Sequence, residues 1–168
     1  MNQKKVQAQI LEHAKTLVAL HDKIKTTHKN KETNPSAWQA ACDSFNAQYN
    51  RLAFPGGLED GLKSLKNHKP NAIIVAIEFL KADPNYHRSG YNKQKIAHLL
   101  KNAPLTKEQI KDLQKILLNS IKNKQFFCLE YARLASKIQD AEFTEKIETI
   151  IKESGDEGEI NKAKKMLR

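Results

Sequence analysis

The sequence has only two cysteines, Cys42 and Cys128, in 168 residues. Both fall on apolar faces of predicted helices, where a cysteine usually acts as a small buried hydrophobe. Two cysteines do not make a disulfide framework or a zinc ligand set, so we interpret them as reduced core residues. A disulfide between them is the weaker alternative.

Long apolar runs are also missing. No stretch approaches the roughly 20 apolar residues that a membrane-spanning helix needs. The segment from Met1 to Lys15 lacks the apolar core and the small-residue cleavage site of a signal peptide. These absences predict a cytoplasmic location and no membrane partner.

The motifs of common enzyme chemistry are absent as well. The sequence has no Gly-x-Ser-x-Gly elbow, no HExxH or ExxH pair and no glycine-rich nucleotide loop. His13, His21 and His28 are eight and seven residues apart, too widely spaced for two of them to bind one ion from one helix. We therefore predict no catalytic residue, no metal site and no cofactor.

Arginine is scarce although the chain is strongly basic. The formal net charge is +10, but the only arginines are Arg51, Arg88, Arg133 and Arg168. Positive charge suggests nucleic acid as a partner, whereas arginine supplies most forked contacts to guanine and phosphate. A lysine-rich surface suits an acidic protein equally well. We expect an acidic protein partner, and sequence-tolerant RNA or DNA binding through phosphates is the alternative.

Helical periodicity is abundant, and short-range signals mark where helices begin. Thr106 followed by Gln109 predicts a capping box. Ser89 is the predicted N-cap of the preceding helix, which Pro104 ends, and Asp140 is the predicted N-cap of a later one. A further helix, with Phe127 and Cys128 on its apolar side, is predicted to follow residues 123–124.

The N-terminal third predicts an antiparallel helical hairpin. Val6, Ile10, Ala14 and Leu17 keep helical spacing in a first helix that extends to about residue 30. Asn34 and Pro35 then form an N-cap and N1 pair that starts a second helix carrying an aromatic stripe. The two apolar faces are expected to cover each other.

One segment is ambiguous between helix and strand. The apolar run Ile73–Ile77 has strand propensity, but Pro70 precedes it, the apolar pattern continues through Leu80, and no other strand is predicted to pair with it. We therefore predict a central buried helix here.

From Pro70 onward the chain is similar to HEAT-type α-repeats in element length and amphipathicity. The resemblance is architectural and implies extended faces for binding. The predicted fold is an all-α multi-helix bundle, with an N-terminal antiparallel helical hairpin followed by stacked HEAT-like hairpins. We predict one domain over residues 1–168, and a subdivision into 1–53 and 58–168 is the alternative.

Two groups of residues are candidate binding sites. The first is the segment around residues 86–93, where a predicted helix N-terminus and basic groups would suit an anion or a partner's carboxylate. Its candidate residues are Tyr86, His87, Arg88, Ser89, Tyr91 and Lys93. The second is a basic surface on the helix after Thr106, formed by Lys107, Lys111, Lys115 and Lys122.

The alternative interpretation of the first group is structural. In it the tyrosines pack the loop onto the helices, and Arg88 pairs with Asp83 or Glu78. Glu130 and Asp112 are predicted to be ordinary carboxylates on solvent faces.

The pattern as a whole predicts a non-enzymatic interaction module, either an adaptor or an inhibitor or immunity-type protein that masks another protein. A small enzyme centred on residues 86–93 is a further alternative. Cys128 with His87 or His98 is a separate candidate for a nucleophile and its base, although a cysteine on an aromatic helix face is usually inert.

Overall fold

The computed structural model describes residues 2–123 and 126–168, which contain helices and no strand. This confirms the predicted all-α bundle. The helices are α1 (Gln3–His28), α2 (Pro35–Leu52), α3 (Leu58–Lys66), α4 (Pro70–Ala82), α5 (Ser89–Leu100), α6 (Lys107–Lys122), α7 (Leu129–Ile138), α8 (Ala141–Glu153) and α9 (Glu157–Met166).

Short-range capping signals set several helix starts as predicted. The Thr106 hydroxyl accepts from the Gln109 backbone N–H at 3.3 Å, and the Gln109 side chain accepts from the Thr106 N–H at 2.9 Å. Asp140 likewise accepts from the Phe143 N–H at 2.9 Å. Each cap satisfies backbone donors that the first helical turn leaves without partners.

Two predicted helix starts are wrong. Arg88, not Ser89, is the N-cap of α5, and its φ of 71° is left-handed. Ser89 is the first helical residue, and its hydroxyl accepts instead from the Tyr86 N–H at 3.2 Å. Helix α7 begins at Leu129 because Cys128 is extended, with φ −132° and ψ 161°. The predicted start after residues 123–124 falls partly on Lys124, which lies outside the described residues.

Helices α1 and α2 lie antiparallel. The rings of His28 and Trp38 are 5.6 Å apart, and those of His21 and Phe45 are 5.8 Å apart. The earlier residue of α1 thus faces the later residue of α2, so the two helices run in opposite directions. The short link over residues 29–34 and the shared apolar faces account for this pairing.

Helix α4 occupies the centre of the bundle, and it is a helix rather than a strand. It buries Ile73, Ile77 and Phe79 and contacts α1, α3, α5 and α6. The Phe79 ring packs 5.4 Å from that of Phe54. Gly61 makes room for Phe54, because a Cβ at that position would lie 2.4 Å from the ring.

Most apolar residues of α4 are buried in the core of the protein. In the part of the chain that the structure describes, no helix combines the length and the hydropathy required to cross a bilayer.

Four helices that are separated in sequence pack on one another in a row. Helix α3 packs on α5, α5 packs on α7, and α7 packs on α9. Their outward residues therefore contribute to adjoining stretches of surface, although the links between them pass through α4, α6 and α8.

Candidate functional site

Tyr86 of the predicted loop site is part of the core. Its hydroxyl donates to the Ala53 carbonyl at 2.6 Å and accepts from the Asn92 side-chain amide at 3.0 Å. Burial raises the pKa of Tyr86, so the phenol stays protonated. The structural interpretation of this tyrosine as loop packing agrees with these contacts.

Lys93 is also buried, and its charge is balanced by a carboxylate of the same protein. The ammonium group forms an ion pair with Asp83 and lies 5.1 Å from the centre of the Phe126 ring. The predicted pairing of Arg88 with Asp83 or Glu78 is therefore corrected, because Asp83 binds Lys93 and the Gln7 amide donates to Glu78. Arg88 itself is exposed.

His87 joins the loop to the N-terminal hairpin. Its ring stacks on that of His21, with 4.2 Å between centroids and 9° between planes. Burial, the neighbouring His21, and the positive groups of Arg88 and Lys25 all lower the pKa of His87. The stacked arrangement therefore favours a neutral imidazole.

This pairing predicts a loss of stability in mild acid. Because the pKa of His87 is lower in the folded state than its ordinary value of 6.5, the unfolded chain takes up the proton first. Stability is thus present above pH 6.5 and declines as the pH falls through the folded pKa. After allowance for solvent screening, we expect the drop in melting temperature from pH 7 to pH 5 to be about 2 °C larger in the wild type than in His87→Gln. Equal drops in thermal melts of both proteins would contradict this role.

Tyr91 lies in the first turn of α5 and points away from the core. It is 72% exposed, the largest value among the exposed large hydrophobic residues of the described chain. It lines an open groove of about 770 Å³ between α3 and α5. The other lining residues are Leu62, Lys63, Lys66, Gln94, Lys95, His98, Leu99 and Glu130.

A second groove, of about 410 Å³, runs beside α7 and α9. It contains Leu129, which is 56% exposed. The remaining lining residues are Lys101, Ala132, Arg133, Ser136, Lys137, Lys165 and Arg168.

Glu130 connects the two grooves. Its carboxylate lies 3.2 Å from His98 Nδ1 and 3.5 Å from Lys101 Nζ, and it forms an ion pair with Arg133. Glu130 and His98 line the first groove, whereas Lys101 and Arg133 line the second. The two grooves are therefore parts of one surface.

The position of Glu130 corrects a prediction. It was expected on a solvent face, but it is only 6% exposed. Burial by itself would raise the pKa of Glu130, yet the hydrogen bonds from Arg133 and His98 and the charge of Lys101 hold it below its usual value. The carboxylate is therefore ionised and fully engaged by its neighbours.

We call this surface the cationic face. Among the described residues, its two grooves are lined by eight basic side chains and by one carboxylate side chain, that of Glu130. The basic residues are Lys63, Lys66, Lys95, Lys101, Arg133, Lys137, Lys165 and Arg168. None of the ion pairs among the described residues includes Lys63, Lys66 or Lys95. The charge of these three lysines is thus open to a partner.

The predicted basic surface on α6 has acidic side chains next to one of its lysines. Lys111 lies 3.2 Å from Asp140 and 2.8 Å from Glu142. The Phe143 N–H, Gln114 and Lys111 lower the pKa of Asp140 to about 2, and Lys111 and Lys146 lower that of Glu142 to about 2. Lys111 is therefore neutralised locally, while Lys107, Lys115 and Lys122 are exposed.

Among the described residues, Cys128, His87 and His98 contact other groups and not one another. Burial raises the pKa of the Cys128 thiol, which keeps it protonated and weakly nucleophilic. His87 stacks on His21, and His98 contacts Glu130. Over residues 2–123 and 126–168, no three His, Cys, Asp or Glu side chains are grouped so as to hold a metal ion.

Sequence reasoning missed the cationic face because its members are distributed over residues 62–168. No spacing within one helix marks it. The packing of α3, α5, α7 and α9 places these residues close together, and the exposure of Tyr91 draws attention to the surface that they form.

Comparison of this chain with protein-family models, with curated proteins and with solved structures finds no match.

Proposed function

We propose that this protein is a non-enzymatic interaction module that binds an acidic segment of another protein through the cationic face. An adaptor would act in this way, and so would an inhibitor or immunity-type protein that masks its target. The observation that carries the proposal is the imbalance of charge, with eight basic side chains around one carboxylate that is already engaged. Such a surface attracts and orients negatively charged partners.

Apolar groups on the same face favour a protein over a nucleic acid. Tyr91 and Leu129 are the two most exposed large hydrophobic residues in the described chain, and each lines one of the two grooves. Tyrosine surrounded by polar groups is typical of residues that dominate binding energy in protein interfaces. Binding to phosphates would use the lysines and leave Leu129 without a role.

Two further expectations belong to the same proposal. Stacking of α3 to α9 as HEAT-like hairpins would explain why alternate helices share an outer face, and the packing of α3 on α5 and α5 on α7 supports it. A cytoplasmic location fits the free thiols of Cys42 and Cys128.

A peptide selection tests the proposed partner class. We expect a display library of random twelve-residue peptides, selected against the wild-type protein, to enrich sequences rich in Asp and Glu. A generic single-stranded RNA and a duplex DNA serve as competing probes over a salt titration. Affinity for these nucleic acids should stay weaker than for the enriched peptides at physiological salt, because phosphate-driven binding falls steeply as salt rises.

Two outcomes would overturn the proposal. One is the enrichment of no acidic peptide at all. The other is RNA or DNA binding that is tighter than peptide binding at physiological salt and has a steep salt slope, which would instead support the nucleic-acid alternative.

A further inference from the structure

The groove between α3 and α5 combines apolar and basic lining. Leu62, Leu99 and Tyr91 supply apolar surface, and Lys63, Lys66 and Lys95 supply ammonium groups. The long aliphatic stems of the lysines extend the apolar lining while their charges remain in water. A ligand that matches this groove must present a hydrophobic group with negative charge close to it.

We propose that this groove binds an aliphatic or aromatic side chain of the acidic segment, flanked in its sequence by Asp or Glu. This inference rests on the function proposed above and defines the sequence that the partner must carry. The apolar side chain packs against Tyr91, Leu62 and Leu99. The flanking carboxylates contact Lys63, Lys66 and Lys95.

The shape of the groove favours a peptide segment over a small molecule. Sites for small ligands usually enclose most of the ligand surface. This groove is open, and Tyr91, which lines it, is 72% exposed. Its volume of about 770 Å³ exceeds what a single side chain fills, so neighbouring residues of the segment also fit.

Charge disfavours a second copy of this chain as the occupant. Each copy carries a formal net charge of +10, so self-association through this face would bring like charges together. An acidic segment has the complementary sign.

The contacts of Glu130 allow the bound segment to extend from the first groove into the second. Because Glu130 is engaged by Arg133, Lys101 and His98, it presents little free negative charge where the two grooves join. Beyond that point lie Leu129 and the cations of the second groove. Because no other carboxylate side chain of the described residues lines either groove, an acidic segment can follow the surface from Tyr91 towards Leu129.

Substitution of Tyr91 tests the inference. With an enriched acidic peptide as the probe, Tyr91→Ala should weaken binding about thirtyfold, as expected for an aromatic residue central to an interface. Tyr91→Phe keeps the ring and should bind within about threefold of wild type, since the apolar surface is retained. Leu11→Ala removes an exposed hydrophobic residue from α1 and is the matched control, which should leave affinity unchanged.

Changes in the peptide provide the complementary test. Replacing its hydrophobic residue by alanine should weaken binding to the wild type but have little further effect on Tyr91→Ala. Thermal melting by circular dichroism verifies that each variant is folded, which is expected because Tyr91 is exposed.

The outcomes separate this inference from the proposed function. If Tyr91→Ala binds like wild type while Lys66→Glu with Lys95→Glu loses binding, the hydrophobic anchor is wrong and the cationic face stands. If neither variant changes the affinity, both proposals fail. Enriched peptides with acidic residues but no recurring hydrophobic position would also overturn the anchor.

Discussion

Reversing the charge of Lys66, Lys95 and Lys137 to glutamate is expected to weaken binding of an enriched acidic peptide by about a hundredfold. These lysines are exposed and line both grooves of the cationic face. Each reversal replaces an attraction with a repulsion, and about 1 kcal/mol per site gives a combined effect of this size. Fluorescence anisotropy of the labelled peptide measures the affinity.

A matched triple variant on α6 separates local contacts from net charge. Lys107→Glu, Lys115→Glu and Lys122→Glu change the formal charge by the same amount on the surface first predicted to be basic. At physiological salt, charges beyond about 8 Å are largely screened, so this control should bind within about threefold of wild type. Equal weakening by the two triple variants would show that binding follows overall charge and has no preferred face.

The Asp83→Asn variant is expected to lose about 3 kcal/mol of unfolding free energy, because it leaves the buried ammonium of Lys93 without its counter-charge. Asparagine keeps the size of the side chain and tolerates the left-handed backbone at this position, where φ is 45°. The loss therefore reports on charge rather than on backbone strain. Urea denaturation followed by circular dichroism at pH 7 measures it.

A double-mutant cycle tests whether Asp83 and Lys93 act together. Lys93→Met removes the charge and retains an unbranched apolar side chain, so its own loss should be smaller, about 1 kcal/mol. The double variant should then be more stable than Asp83→Asn alone. Strictly additive losses would mean that the two groups are not energetically coupled.

The parts of the fold that the sequence predicts depend on short-range chemistry. Thr106 and Gln109 are three residues apart, and their two hydrogen bonds form within one helical turn. Asn34 and Pro35 act within the same distance to begin α2. Because such signals require no knowledge of distant packing, the fold class and most helix starts follow from the chain alone.

The candidate site depends on contacts between distant residues. Glu130 contacts His98, which is 32 residues away in the sequence, and it also contacts Lys101. Helical periodicity assigns a face to each residue but does not say which neighbouring helix covers that face. Burial of Glu130 and Lys93 was therefore not predicted, and neither was the collection of lysines from α3, α5, α7 and α9 on one surface.

The contacts of Glu130 also bear on how the surface would accommodate different partners. Its carboxylate restrains Lys101 and Arg133 before any association, so these two side chains lose little rotamer entropy when a complex forms. Lys66 and Lys137, without such a restraint, remain adaptable. The middle of the surface is thus preorganised and its ends are compliant, an arrangement that suits recognition of related sequences with one shared central contact.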